Sequence, residues 1–293
     1  MPPAAVALVL LAALLHAGWN IVAKRSGGGM HFALMGALMI VVLWSPLGLT
    51  MAWSAVPRWG RIEWALVLAS GVAHLVYFNA LLAGYRAADL TVVYPVARGS
   101  GPLLASLGAV LVLGETLGAA GAAGVLAITG GVFLIAGGPR LWATGADPAQ
   151  RARLHAGLAW GALTGALIAL YTVIDGYAVK VLAISPILVD WIGNLLRIPF
   201  LLPTALLDRA GFVRDFKRQW RASLLLAAVS PLGYVLVLYA VQMAPLSHVA
   251  PAREVSMLFA ALLGGRLLGE ADRGLRLVGA ACIVAGVVTL ALA

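Results

Sequence analysis

The sequence predicts an all-α polytopic membrane protein, with ten transmembrane helices arranged as two inverted five-helix repeats around a central cavity. Composition is the first observation, because the 293 residues are 62% hydrophobic and only 11% charged, with a mean hydropathy of +1.00. Apolar runs of membrane length are the second, and motifs that recur in the second half of the chain are the third. A chain this apolar belongs in a lipid bilayer, because it cannot present enough polar surface to dissolve as a globular domain.

Each apolar run is long enough to cross the bilayer as a helix. Roughly 20 residues span about 30 Å of hydrocarbon, and a helix satisfies its own backbone hydrogen bonds in lipid. The first run has no basic residue ahead of it and carries His16 and Asn20 near its end, so we interpret it as a helix and not as a cleaved signal sequence. The ten runs are about 4–24, 31–52, 63–85, 90–113, 118–137, 154–181, 185–207, 221–243, 247–268 and 273–292.

Basic residues in the loops predict the orientation. We call face A the side with the loops after spans 1, 3, 5, 7 and 9, and face B the side with both termini and the other loops. Face B has Arg58, Arg61 and Lys180, whereas face A has Lys24, Arg25, Arg86, Arg140, Arg151, Arg153, Arg209, Arg214, Lys217, Arg218, Arg221, Arg273 and Arg276. The positive-inside rule makes face A cytoplasmic, so we expect an integral protein of the inner (cell) membrane with both termini non-cytoplasmic. Charges spread over loops in this way do not indicate a nucleic-acid partner, despite the net charge of +9.

The two halves of the chain share sequence. Residues 96–115, VARGSGPLLASLGAVLVLGE, align with residues 251–270, PAREVSMLFAALLGGRLLGE. At an offset of 155, Arg98 matches Arg253, and Gly114 and Glu115 match Gly269 and Glu270; at an offset of 156, Pro95 matches Pro251 and Lys24 matches Lys180. Five spans per half place the halves in opposite senses, which is a transporter architecture with the substrate site where the halves meet. The predicted domains are a first repeat at 1–137, a linker at 138–153 and a second repeat at 154–293.

Several motifs together carry a family resemblance. They are the five-plus-five organisation, the Gly-Glu pairs that close spans 4 and 9, LLHAGWNIVAK in the first span and YRAADLTVVYPVARG entering the fourth. In these the sequence resembles the drug/metabolite transporter superfamily, in its EamA-type branch. The resemblance implies a secondary carrier of small organic solutes with a central cavity lined by both halves, and relatives include exporters of amino acids. Many members have both termini in the cytoplasm, so the loop charges here indicate a departure from that orientation.

Arg98 is the charge whose position most needs an explanation. It lies about 8 residues, roughly 12 Å, below face A, and we expect no acidic side chain at its level. An isolated charge near the bilayer centre costs at least ~2.5–3.5 kcal/mol, so three interpretations stay open. A carboxylate or phosphate of a substrate pairs with the guanidinium; or Arg98 binds carbonyls freed by Pro95 and Pro102 or extends toward face A; or it pairs with an acid of the other half. Gly99 and Gly101 allow either close helix packing or a local break.

Other polar residues within the spans are candidates for the same site. The predicted substrate-binding residues besides Arg98 are His16, Asn20, His74, Tyr77, Tyr94, Tyr171, Tyr234 and Arg253. Interhelical hydrogen bonding and core packing are the alternative for them. Asp175 is the candidate for proton coupling, because a carboxylate in a cavity of low dielectric can take up a proton, and a structural pair with Arg253 is its alternative. Asp190, Asn194 and Arg197 share one stripe of span 7, as a network or as a second contact for an anion.

Enzyme motifs are absent from the sequence. It has no HExxH, GxSxG or Walker-type loop, so we expect no enzyme, no cofactor and no metal. The sequence therefore predicts a secondary transporter that exports small zwitterionic or anionic metabolites, such as amino acids, by alternating access through a cavity built from spans 1, 3, 4, 6, 8 and 9. An exporter of cationic or hydrophobic drugs and a flippase of a lipid-linked substrate are the alternatives. Proton coupling, and the choice between a monomer and a homodimer, stay open.

Overall fold

A computed structural model describes residues 1–25, 29–136, 148–263 and 273–293. All regular structure in these ranges is helical. Two short 3₁₀ turns, Val56–Arg58 and Arg253–Val255, follow α2 and join α9 to α10. The helices are α1 (Pro3–Arg25), α2 (Met30–Ala55), α3 (Arg61–Ala87), α4 (Leu90–Leu113), α5 (Ala119–Ile135), α6 (Pro148–Lys180), α7 (Pro186–Leu207), α8 (Arg209–Met243), α9 (Leu246–Ala252), α10 (Ser256–Leu263) and α11 (Arg273–Leu292).

The predicted apolar runs are helices. Within the described residues, eight helices are long and apolar enough to cross a membrane, and α5 is a shorter apolar helix. This confirms a polytopic membrane protein. The ninth predicted run differs, because the 3₁₀ turn divides it into α9 and α10, and its last residues lie outside the described ranges. Residues 148–153 of the predicted linker begin α6, while the rest of the linker, and Gly269 and Glu270 of the repeat motif, lie outside the described ranges.

The α4 helix is continuous although it contains Pro95 and Pro102. Of the two alternatives for its glycines, the structure has close packing: a Cβ on Gly101 would lie 2.9 Å from a methyl carbon of Ile168 on α6. The alternative of a local break in the fourth span is therefore wrong, whereas the ninth run is the one that a 3₁₀ turn divides. A proline removes one backbone hydrogen bond, and the helix continues through both prolines where it packs closely against α6.

The most extensive packing joins helices of the first predicted repeat to helices of the second. The α6 helix packs on α3 and α4, α8 packs on α1 and α2, α2 also packs on α7, and α5 packs on α11. Glycines allow the α5–α11 contact: a Cβ on Gly131 would lie 2.5 Å from the carbonyl oxygen of Gly279, and one on Gly279 would lie 2.8 Å from that of Gly131. Backbones that approach this closely are typical of helix pairs in membranes.

Loops predicted to share a face contact one another. On face A, Arg153 Nη2 lies 2.8 Å from Asp89 Oδ1, which joins the start of α6 to the start of α4. On face B, Lys180 Nζ lies 2.7 Å from Glu115 Oε1, which joins the end of α6 to the loop after α4. These two contacts place the start of α6 beside the start of α4, and the end of α6 beside the loop after α4.

Candidate functional site

A cavity of about 540 Å³ lies between the helices. The predicted spans 1, 3, 4, 6, 8 and 9 all contribute to its wall, through α1, α3, α4, α6, α8 and the divided α9–α10 run. Two helices that were not expected there, α2 and α7, complete the wall. The α2 helix enters because it packs against both α7 and α8, and it brings apolar side chains such as Phe32 and Ile40.

The structure brings the predicted binding residues together. All nine lie on the wall of this one cavity: His16, Asn20, His74, Tyr77, Tyr94, Arg98, Tyr171, Tyr234 and Arg253. They come from six different elements, so only the tertiary fold assembles them. Their role in binding stays a prediction.

Arg98 has an acidic partner from the other half of the chain. Its Nη2 atom lies 2.8 Å from Glu254 Oε2 and donates a second, longer hydrogen bond of 3.4 Å to Ser256 Oγ. The expectation that no acid lies at the level of Arg98 is therefore wrong, and the third interpretation, a pair across the halves, is the one that the structure has.

Glu254 lies between two arginines. Besides the contact with Arg98, its Oε1 atom lies 3.6 Å from Arg253 Nε, and the Glu254 side chain is only 1% exposed. A single carboxylate thus faces two guanidinium groups. The two arginines carry two positive charges and Glu254 carries one negative charge, so Glu254 balances only one of them. A buried charge needs a partner, so the second positive charge is available to another anion.

Aromatic rings form a cluster beside the arginines. The His74 and Tyr171 rings are stacked with their centroids 3.9 Å apart, and Tyr234 meets His74 edge-on at 5.9 Å. Tyr77 meets Tyr171 edge-on at 5.6 Å. These rings therefore have both of the roles that the sequence left open, because each ring packs on another ring and also lines the cavity. On α1, Asn20 donates a hydrogen bond to the carbonyl of His16 in the preceding turn.

Asp175 lies behind this cluster and is fully buried. It accepts a hydrogen bond from the Tyr234 hydroxyl, and Tyr234 in turn faces the cavity. The alternative of a structural pair between Asp175 and Arg253 is wrong, since Arg253 approaches Glu254 instead. Asp175 is thus separated from the cavity by one tyrosine.

The polar stripe of α7 forms the expected network. Asn194 Nδ2 donates to Asp190 Oδ2 at 3.2 Å, and Arg197 Nη1 donates to Asn194 Oδ1 at 3.4 Å. All three residues also line the cavity, so the network does not remove Arg197 from a ligand's reach.

Sequence reasoning missed Thr164 and Ser256 on the wall, because small hydroxyl residues are also common at helix contacts in membranes.

Membrane-length helices around a polar internal cavity are the architecture of a polytopic membrane protein. Residues 155–292 match the EamA-like transporter family, which confirms the resemblance found in the motifs and identifies a membrane transporter. That family is one of transporters and not of enzymes.

Two further comparisons bear on the fold. No curated protein matches the chain significantly. A solved structure described as "Crystal structure of protein" is similar, with a TM-score of 0.70 and 17% sequence identity over 98% of this chain and 96% of that one. At this identity the likeness shows a shared fold alone.

Proposed function

We propose that the protein is a secondary transporter that exports small zwitterionic or anionic metabolites, such as amino acids, across the inner membrane. The charge of the cavity wall carries this proposal. Among the described residues of the wall, Arg98, Arg197 and Arg253 are cationic, and Asp190 is the acidic one. A guanidinium matches the geometry of a carboxylate, so a substrate carboxylate is the natural partner for the charge that Glu254 does not balance.

The rest of the wall suits the remainder of such a substrate. A cavity of about 540 Å³ is of the size that holds a small molecule. The tyrosine and histidine rings offer faces that attract an ammonium group or pack on an apolar side chain. Asn20 and His16 on α1 supply polar groups on another side of the cavity.

Helix packing supports alternating access by two inverted repeats. The α3 helix packs on α6 as α8 packs on α1, and α2–α7 and α5–α11 are pairs of corresponding helices. In the α5–α11 pair the offset of 155 relates Gly124 to Gly279 and Gly131 to Gly286. An added Cβ on Gly124 would lie 3.1 Å from the carbonyl oxygen of Gly286, and one on Gly286 would lie 2.7 Å from that of Gly124. The offset therefore relates the Gly124–Gly286 contact to the Gly131–Gly279 contact.

Asp175 is the proposed site of proton coupling. The bond from Tyr234 links it to the cavity, and a buried carboxylate beside a substrate site is the usual element of proton-driven carriers. If it carries the proton, Asp175→Asn retains exchange of substrate between two sides but abolishes accumulation driven by a pH gradient. A uniporter would show no such gradient-driven accumulation in the parent protein.

Transport in proteoliposomes tests the substrate class. Purified protein is reconstituted and offered labelled amino acids, organic anions, organic cations and a fluorescent lipid-linked sugar. Arg253→Gln is the informative variant, because Glu254 keeps its closer partner Arg98 and no carboxylate is left unpaired. We expect it to weaken the apparent affinity for carboxylate substrates by about 10- to 100-fold, the value of a charged hydrogen bond, while Arg253→Lys weakens it less.

The matched control is Arg86→Gln, which removes the same charge from an exposed position at the end of α3. It should leave transport unchanged. Transport of cations alone, insensitive to Arg253→Gln, would support the drug-exporter alternative and contradict the proposal. Movement of the lipid-linked sugar between leaflets, without uptake of soluble solutes, would support the flippase.

A further inference from the structure

The α8 helix is longer than a membrane span requires. Its 35 residues, Arg209–Met243, correspond to about 52 Å, against about 30 Å of hydrocarbon. The apolar run of this helix begins only near residue 221. The segment 209–221, RAGFVRDFKRQWR, therefore extends beyond the apolar run on the face A side, and we call it the α8 extension.

One side of the α8 extension is held against the protein. Gly211 and Gln219 are buried, and Asp215 Oδ2 lies 2.8 Å from His31 Nδ1 at the start of α2. His31 Nε2 also lies 3.2 Å from the carbonyl oxygen of Thr204 on α7. These contacts set the rotation of the helix, so the opposite side faces away from the bundle.

That outer side carries an apolar stripe. Val213, Phe216 and Trp220 are 51%, 43% and 40% exposed, and their spacing of i, i+3 and i+7 places them on one line along the helix. Leu224, 42% exposed, continues the line into the membrane span. In water such a stripe would be unfavourable, so it points to contact with lipid.

A stripe of positive charge runs beside the apolar one. Each apolar residue is followed by a base, in the pairs Val213-Arg214, Phe216-Lys217 and Trp220-Arg221, and all three bases are exposed. The guanidinium carbon of Arg221 lies 5.4 Å from the centre of the Trp220 ring. The extension holds five bases and a single acid, Asp215, which His31 already engages.

We propose that the α8 extension is a binding surface for anionic phospholipids of the face A leaflet. Val213, Phe216 and Trp220 lie among the upper acyl chains, while Arg214, Lys217 and Arg221 contact headgroup phosphates. The helix length places the segment at headgroup depth, and the two adjacent stripes match the apolar and anionic layers of a lipid surface. This surface is separate from the cavity and from the proposed transport.

Equilibrium binding to purified protein in detergent tests the proposal. The probes are phosphatidylglycerol and phosphatidylcholine labelled on an acyl chain, and the variant is Arg214→Gln/Lys217→Gln/Arg221→Gln. We expect the parent to prefer phosphatidylglycerol and the variant to bind it about tenfold or more weakly, since each base near a charged lipid surface contributes several-fold. The conservative variant Arg214→Lys/Lys217→Arg/Arg221→Lys should bind as the parent does.

A charge-matched control separates the surface from net charge. Arg61→Gln/Arg86→Gln/Arg151→Gln also removes three exposed bases and should retain the affinity for phosphatidylglycerol. An equal loss in this control, or no loss in the α8 variant, overturns the proposal. Displacement of phosphatidylglycerol by equimolar inositol hexakisphosphate also overturns it, because the site would then recognise a soluble polyanion. Thermal unfolding of each variant verifies that the protein under test is folded.

Discussion

Among single residues, Glu254 holds the polar interior together. It is buried and lies against both Arg98 and Arg253. Neither arginine would have this counter-charge without it, so the two guanidinium groups would repel each other in a medium of low dielectric. The carboxylate is therefore a structural requirement of the cationic cavity as much as a partner of Arg98.

Replacement of Glu254 should be strongly destabilising. We expect Glu254→Gln to lower the free energy of unfolding by about 3–5 kcal/mol, the usual cost of removing one partner from a buried ion pair. Urea unfolding in mild detergent, followed by tryptophan fluorescence, measures it. The double variant Arg98→Met/Glu254→Gln should recover part of the loss, because it no longer contains a buried guanidinium without a counter-charge. Additive losses in the double variant would contradict this account of the pair.

Glu115 lies outside the membrane spans, and its contacts predict that the stability of the protein depends on pH. Its carboxylate accepts hydrogen bonds from Lys180 Nζ at 2.7 Å and from the backbone amides of Leu246 and Ser247 at 2.7 and 2.8 Å. Burial alone would raise the pKa of Glu115. The hydrogen bonds lower this pKa by more than burial raises it, so the net pKa lies below the ordinary value of 4.5. A lowered pKa in the folded state means that the carboxylate stabilises the protein above pH 4.5 and that this contribution is lost as the pH falls through the folded value.

We therefore expect Glu115→Gln to lower the melting temperature at pH 7 and to converge with the parent as the pH approaches the folded pKa. Differential scanning fluorimetry across this range measures the difference. Asp89→Asn serves as the control, because the Arg153–Asp89 pair is more than half exposed and such pairs contribute little. A constant difference between parent and Glu115→Gln at every pH would rule out the linkage.

At the scale of elements, the α5–α11 pair depends on adjacent glycines that differ in environment. A Cβ on Gly131 would lie 2.5 Å from the carbonyl oxygen of Gly279 and 2.7 Å from Cγ1 of Ile283, whereas a Cβ on Gly130 meets nothing within 4 Å. Gly131→Ala should therefore force the helices apart and cost about 1–3 kcal/mol. Gly130→Ala should be neutral or slightly stabilising, because alanine is the better helix former. Unfolding in detergent compares the two, and equal effects would contradict the close contact.

Elements were predictable from the sequence to different degrees. Hydropathy finds membrane helices because their length and composition are set by the bilayer, and the described part of the chain agrees. It does not find the α8 extension, because polar helical turns carry no such signal. It also left open whether the glycines of α4 pack closely or break the helix, since that depends on the neighbour α6. The site residues were found because polar groups in spans are rare, but Glu254 was not assigned to Arg98, because sequence gives depth without rotation about the helix axis.

At the scale of the whole molecule, the loop charges predict a sidedness that can be measured on one helix. Arg61 and Arg86 lie near opposite ends of α3, and both are exposed. In a Cys282→Ala background, an impermeant maleimide should label the Arg61→Cys variant in intact spheroplasts and the Arg86→Cys variant only after lysis. The Cys282→Ala protein itself should stay unlabelled. The reverse pattern would place both termini in the cytoplasm, as in many relatives.

The 3₁₀ turn at Arg253–Val255 also has a consequence for how the halves compare. Two residues separate Pro95 from Arg98, but one separates Pro251 from Arg253, so the second half is one residue short at this point. Three residues of 3₁₀ helix rise about 6 Å, the same as four residues of α-helix. The extra rise of the 3₁₀ turn equals the length of the one residue that the second half lacks. Under the proposed repeat relation, we therefore expect the divided run and α4 to have the same length across the bilayer, although the second half has one residue fewer at this point.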